Sequence, residues 1–151
     1  MKIKSLLIAN RGEIAVRVIR TAKRMGIKTY AIKTSKEPKA LYLEVVDEII
    51  DFTESLDEIP EFLDIETLIE AAKKHGVEAI HPGYGFLAES PYFAQRCEDE
   101  GINFVGPDPD AIYKMGNKTI AKQIAIRHKV PLLEGSAGNV TSAVRAMAIA
   151  R

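Results

Sequence analysis

The chain has 151 residues, the size of one ordinary domain, with 46% hydrophobic and 28% charged residues, a balance that supports a core without disulfide or metal staples. Twenty-one Lys and Arg against twenty-one Asp and Glu give a formal net charge of zero, which excludes a global basic footprint for nucleic acid or a polybasic membrane anchor. The charge-free run Ala79 to Ala88 is too short to span a bilayer, Ser5 to Ala9 is too short for a secretory core, and one cysteine, Cys97, makes no internal pair, so a reducing, cytoplasmic setting with no nucleic-acid or membrane partner is expected.

The apolar run Ile3 to Ala9, ended by Asn10-Arg11-Gly12, predicts a buried strand. Apolar residues then recur at Ile14, Ala15, Val18, Ile19, Ala22 and Met25, opposite Arg17, Arg20, Lys23 and Arg24, and Gly26 follows; this is an amphipathic helix with a C-terminal glycine. Lys28 to Lys33, with Thr29, Tyr30 and Ile32, reads as a second strand, so the chain opens with a βαβ unit. Thr34 to Glu37 reads as a loop, Leu41 to Val46 as a short helix and Glu48 to Phe52 as a third strand. The acidic stretch Thr53 to Phe62 is expected to be a surface excursion. Asp64 caps a helix with the stripe Ile65, Leu68, Ile69 and Ala72, a Glu70–Lys74 pair and Gly76 at its end. Val77 to Ile80 is the next strand, Pro91 starts a helix, and Ile102 to Val105 is a strand stopped by Gly106-Pro107. After it only helices are predicted: Asp108 to Met115, Lys118 to His128 and Val140 to Arg151. The apolar positions of the final helix suggest that the natural chain is longer. The predicted fold is a three-layer α/β domain, Rossmann-like, with a parallel sheet from strands near residues 3–9, 28–33, 48–52, 77–81 and 102–105.

Three segments carry candidate chemistry. Asn10-Arg11-Gly12-Glu13 joins a strand to a helix and admits two readings: a phosphate-binding turn, or a tight structural turn whose Glu13 answers the helix dipole. His81-Pro82-Gly83-Tyr84-Gly85 follows a strand at the carboxyl edge of the sheet. Its glycines either expose Tyr84 to a ligand or form an ordinary turn with the ring on the core. Met115-Gly116-Asn117-Lys118 opens a helix with Asn117 as cap and Lys118 in the first turn, where a cation opposes the dipole unless a phosphate partners it. His75, His81, His128 and Cys97 lack metal-ligand spacing.

Taken in order, Leu6 to Ala15, Glu78 to Leu87 and Met115 to Lys118 resemble the opening of biotin carboxylases, the component that serves acetyl-CoA, propionyl-CoA and pyruvate carboxylases. The resemblance implies a pre-ATP-grasp domain over residues 1–115 and the start of an ATP-grasp domain over 116–151. It implies an activity as well: MgATP and bicarbonate yield carboxyphosphate, which carboxylates biotin on a carrier. By residue, Lys118 matches the family's ATP-contacting lysine, and Tyr84 and Gly85 match the loop facing biotin. Asn10 to Glu13 match a structural turn.

ATP, Mg2+ and biotin are thus the cofactors implied for the full-length enzyme, with none held tightly by this chain alone and no catalytic or metal-ligating residue within it. The implied partners are a biotin carboxyl carrier protein or domain, a carboxyltransferase component and a second copy in a homodimer. The family's glycine-rich lid, second phosphate lysine, magnesium carboxylates and bicarbonate arginine are expected past residue 151. Gly135 to Gly138 resembles the turn after Val130-Pro131, not that lid. The chain is therefore expected to be inactive alone. The competing reading is a free-standing, non-catalytic binding or interaction module derived from such an enzyme.

Overall fold

A computed structural model describes residues 2–52, 62–133, 135, 136, 138 and 140–149. Five parallel strands, β1 (Ser5–Ile8), β2 (Lys28–Lys33), β3 (Glu48–Asp51), β4 (Ala79–His81) and β5 (Asn103–Phe104), form one sheet in the order β3-β2-β1-β4-β5. The helices α1 (Gly12–Arg24), α2 (Leu41–Val45), α3 (Ile65–Lys74) and α4 (Pro91–Asp99) make the crossovers. The chain steps outward from β1 to β3, then returns across the sheet to β4. Right-handed crossovers therefore put α1 and α2 on one face and α3 and α4 on the other, and α1 packs on α2 as α3 does on α4.

The central strand explains the first apolar run. Leu6, Leu7, Ile8 and Ala9 are all buried, because β1 pairs with β2 on one side and β4 on the other and is covered on both faces. Each strand is equal to or shorter than its apolar run. Val77 and Ile102 are buried just before β4 and β5 begin, so they fill the core without joining the ladder. The edge strand β3 exposes Glu48, Ile49 and Asp51, and β5 is two residues long, features that discourage edge-to-edge pairing.

Asp64 caps α3, accepting from Thr67 N–H at 3.1 Å, and Ser90 caps α4, accepting from Phe93 N–H at 3.2 Å, with Pro91 in the first turn; each cap stabilises its helix by about 1 kcal/mol. At the amino end of the sheet Asp47 accepts from the Thr29 hydroxyl at 2.7 Å and pairs with Lys23 at 2.8 Å. Burial pushes this carboxyl up, but Lys23 and Thr29 outweigh it and hold the group at about 2.

The expected surface excursion at 53–62 lies outside the described residues except for Phe62, which is 9% exposed and packed on the core. Two further expectations need correction. The α1 stripe is rotated: Val16 is buried with Ala15, Ile19 and Ala22, whereas Met25 is exposed. Ile14, Val18 and Met25 instead line an apolar groove of about 360 Å³ with Ile3, Leu6 and Val105. Finally, Glu70 and Lys74 form no ion pair among the described residues; Lys73 binds Glu100 across to α4 at 2.5 Å.

The chain divides into two compact units, Met1–Pro109 and Asp110–Arg151. The second contains most of α5 (Pro109–Gly116), then α6 (Lys118–Arg127) and α7 (Ala143–Ile149). The last helix is shorter than its predicted span, and residues 150 and 151 lie outside the described set.

Candidate functional site

Open parallel sheets place ligands outside the carboxyl ends of their strands, where the strand order reverses. Here that point lies between β1 and β4. The last rung is Ala9 N–H to the His81 carbonyl at 2.9 Å; beyond it the two chains separate and Asn10 fills the gap. Asn10 is 3% exposed. Its Nδ2 donates to the Pro82 carbonyl at 2.7 Å and the Tyr84 carbonyl at 3.1 Å, and its Oδ1 accepts from Arg11 N–H at 2.8 Å.

Gly83 has φ +70°, and a Cβ there would stand 2.5 Å from Asn10 Nδ2. Glycine is thus required twice, by backbone conformation and by close approach. The Gly83 N–H donates to His81 Nδ1 at 2.9 Å. Burial lowers the His81 pKa, which favours the neutral ring whose Nδ1 lone pair this bond needs, leaving the proton on Nε2. No peptide bond in the described chain is cis, Pro82 included.

Tyr84 projects from this pinned backbone with 62% exposure. Gly85 follows at φ +63°, then Phe86 at φ +47°, a left-handed conformation that strains a bulky residue. The Arg11 guanidinium lies 6.0 Å from the Phe86 ring centroid and is ion-paired with Glu37 from the loop after β2. Phe86 starts a single 3-10 turn toward α4, within which Leu87 is buried. The loop is therefore held at both ends while its tyrosine stays free. Beside it, Arg11, Thr34, Lys36, Glu37, Phe62 and Phe86 line a cavity of about 290 Å³.

Within the second unit, Asn117 caps α6 by accepting from Thr119 and Ile120 N–H at 3.1 Å each. Lys118 is exposed in that first turn. Lys122, one turn on, donates to the Ser136 carbonyl at 2.9 Å, so Lys118 is the first-turn lysine whose ammonium is open to a ligand.

Of the residues expected from the sequence, Tyr84 and Gly85 share one loop and Lys118 belongs to the other unit. Asn10 to Glu13 admitted two readings, and the structural turn is the one observed: Asn10 is spent on the loop and on Arg11 N–H. Asn10's grip, the Arg11–Phe86 stack and the Arg11–Glu37 pair were not foreseen. The requirement for Gly83 was the one local signal pointing to them, since a positive φ beside a strand end announces a close approach. No group of three metal-ligating side chains occurs among the described residues.

Comparison with known proteins follows the same outline. Residues 2–112 match the family model described as biotin carboxylase, N-terminal domain. Biotin carboxylase 1 of Bacillus subtilis is 42% identical over 148 residues, which is 98% of this chain and 33% of that protein. Mitochondrial pyruvate carboxylase of Mus musculus is 41% identical over 140 residues, 93% of this chain and 12% of that protein. Among solved structures, the biotin carboxylase domain dimer of Hydrogenobacter thermophilus 2-oxoglutarate carboxylase, in complex with MgADP, ADP and bicarbonate, superposes with a TM-score of 0.89 at 41% identity, covering 99% of this chain and 33% of that one. The chain thus spans a third or less of each of these relatives.

Proposed function

The chain belongs to the biotin carboxylase family through that family's N-terminal domain, and from this premise we propose that it forms the N-terminal part of a biotin carboxylase, an ATP-dependent ligase that carboxylates carrier-bound biotin. When bound, MgATP supplies the activation of bicarbonate, and biotin accepts the carboxyl group. The residues present fit a division of labour. Lys118 offers an exposed cation for nucleotide phosphates at the start of the ATP-grasp part, proposed as 116–151. Tyr84 and Gly85 offer a ring and an unobstructed backbone to biotin, since a Cβ at Gly85 would meet nothing within 4 Å. One cation does not amount to the metal and cationic clamp that phosphoryl transfer requires, so the chain alone is proposed to be inactive. A biotin carrier, a carboxyltransferase component and a second copy are the proposed partners, in the cytoplasm; no described helix is long and apolar enough to cross a membrane.

The observation that carries this reading is the loop 82–86, pinned along its backbone while presenting an exposed tyrosine at the reversal point of the sheet. The test is a chimaera in which this chain replaces the matching segment of the Bacillus subtilis relative. Bicarbonate-dependent ATP cleavage and biotin carboxylation are expected from the chimaera, and no turnover above the blank from the chain alone. A folded chimaera without either activity overturns the proposal and favours the free-standing binding module.

A further inference from the structure

We propose that Asn10 is a positioning residue that fixes the backbone of the Tyr84 loop, so that this side chain meets its ligand on a frame set in advance. The functional half of this proposal rests on the reading of Tyr84 and Gly85 as the biotin side; the positioning half does not.

The amide orientation of Asn10 follows from its neighbours. Arg11 N–H requires an acceptor, while the Pro82 and Tyr84 carbonyls require a donor. The flipped amide would fail at all three bonds. The carbonyls it grips belong to residues 82 and 84, on either side of Gly83, which is pressed onto the Asn10 side chain too closely for a Cβ. His81 Nδ1 takes the Gly83 N–H from the strand end. Three consecutive residues therefore each have a main-chain group anchored, while the Tyr84 ring has none of these constraints. Preorganisation of this kind spares a site the cost of ordering its backbone on binding. The anchor is buried two residues past the end of β1, the central strand, between the core and the loop.

Asn10→Asp keeps the size and the acceptor for Arg11 N–H but turns an oxygen toward two carbonyls. In the full chain, amide hydrogen exchange at Gly83, whose N–H is the hydrogen-bonded amide of the loop, is expected to accelerate about tenfold or more, as for loss of a buried hydrogen bond, while β1 and β2 amides hold their rates. Unchanged exchange at Gly83 overturns the proposal. Should Asn10→Asp not fold, a cycle through Asn10→Ala gives the answer. Gly83→Ala is expected to lower the urea midpoint less in the Asn10→Ala background than in the parent, because the contact at 2.5 Å is gone; equal losses overturn the proposal. In the chimaeric carboxylase Asn10→Asp is expected to raise the biotin KM about tenfold while lowering kcat less; a larger fall in kcat overturns the functional half. If Tyr84→Ala leaves the biotin KM unmoved while exchange at Gly83 still responds to Asn10, the biotin-side reading fails and the positioning role stands.

Discussion

The two units of this chain bury their residues in different ways. In Met1–Pro109 the strands draw Leu7, Ile80 and Ile32 from three distant parts of the sequence into one core, and Phe93 and Leu68 close it from the helices. In Asp110–Arg151, Ile112 is buried, but neither α6 nor α7 holds a buried residue, and Leu133 is 93% exposed. The lesson concerns the source of helix stability. A helix of nine or ten residues is marginal in water whatever its capping, so α3 and α4 owe their stability to the sheet beneath them, whereas α6 depends on its cap and local bonds.

The sharpest way to break that contrast is by truncation on each side of it. Phe93→Ala is expected to cost about 3–5 kcal/mol, the range for emptying an aromatic core position, while Leu133→Ala stays within about 0.5 kcal/mol. Urea unfolding measures both, and comparable losses would dissolve the distinction. Next in size, Lys118→Met in the chimaeric carboxylase is expected to weaken ATP binding by about 1.5–3 kcal/mol, the range for a charge-assisted hydrogen bond, with the unfolding midpoint unmoved. A shifted midpoint with intact ATP affinity would make Lys118 a structural residue. The caps sharpen the comparison further. Asp64→Ala and Asn117→Ala each remove an N-cap worth about 1 kcal/mol. On α3 the loss is expected in global stability; on α6 it is expected as faster amide exchange confined to that helix.

The smallest effect is one of pH. Burial holds the His81 pKa below its ordinary 6.5, so the unfolded chain binds this proton first as pH falls. Stability is expected to be level above about pH 6.5 and to decline below it until the folded group titrates. Asp47, held at about 2 against an ordinary 3.8, adds its own loss only as pH falls below that ordinary value. Urea midpoints between pH 7.5 and 5 for the parent and His81→Gln separate the two, and a slope that survives the substitution would assign the effect elsewhere.

The fold could be read from sequence because its signals are local. Leu6 to Ala9 is a continuous apolar run as a strand covered on both faces must be, and Asp64, Ser90 and Asn117 stand where caps belong. The misses share a cause, which is that a partner far along the chain decides them. Val16 is buried on a helix that α2 packs against, Met25 is exposed at that helix's C-cap, and Lys73 turns to Glu100 because α4 lies alongside α3. Among the candidate residues, motif alone singles out Tyr84 and Gly85 in the first unit and Lys118 in the second. It does not single out Asn10, because an asparagine after a strand looks like any other turn former until its two carbonyl partners, 72 and 74 residues away, are seen.

Cys97 gives this molecule a built-in clock. It is the single thiol of the sequence, lies wholly buried on α4, and is pushed by burial up to about 12. In the closed state it offers a reagent neither access nor thiolate. Alkylation therefore proceeds only through openings of α4 away from the sheet, and its rate counts them. Introduced cysteines on the Tyr84 loop or on α6 would react at once and leave that count undisturbed, so surface labelling and core breathing can be followed in the same sample.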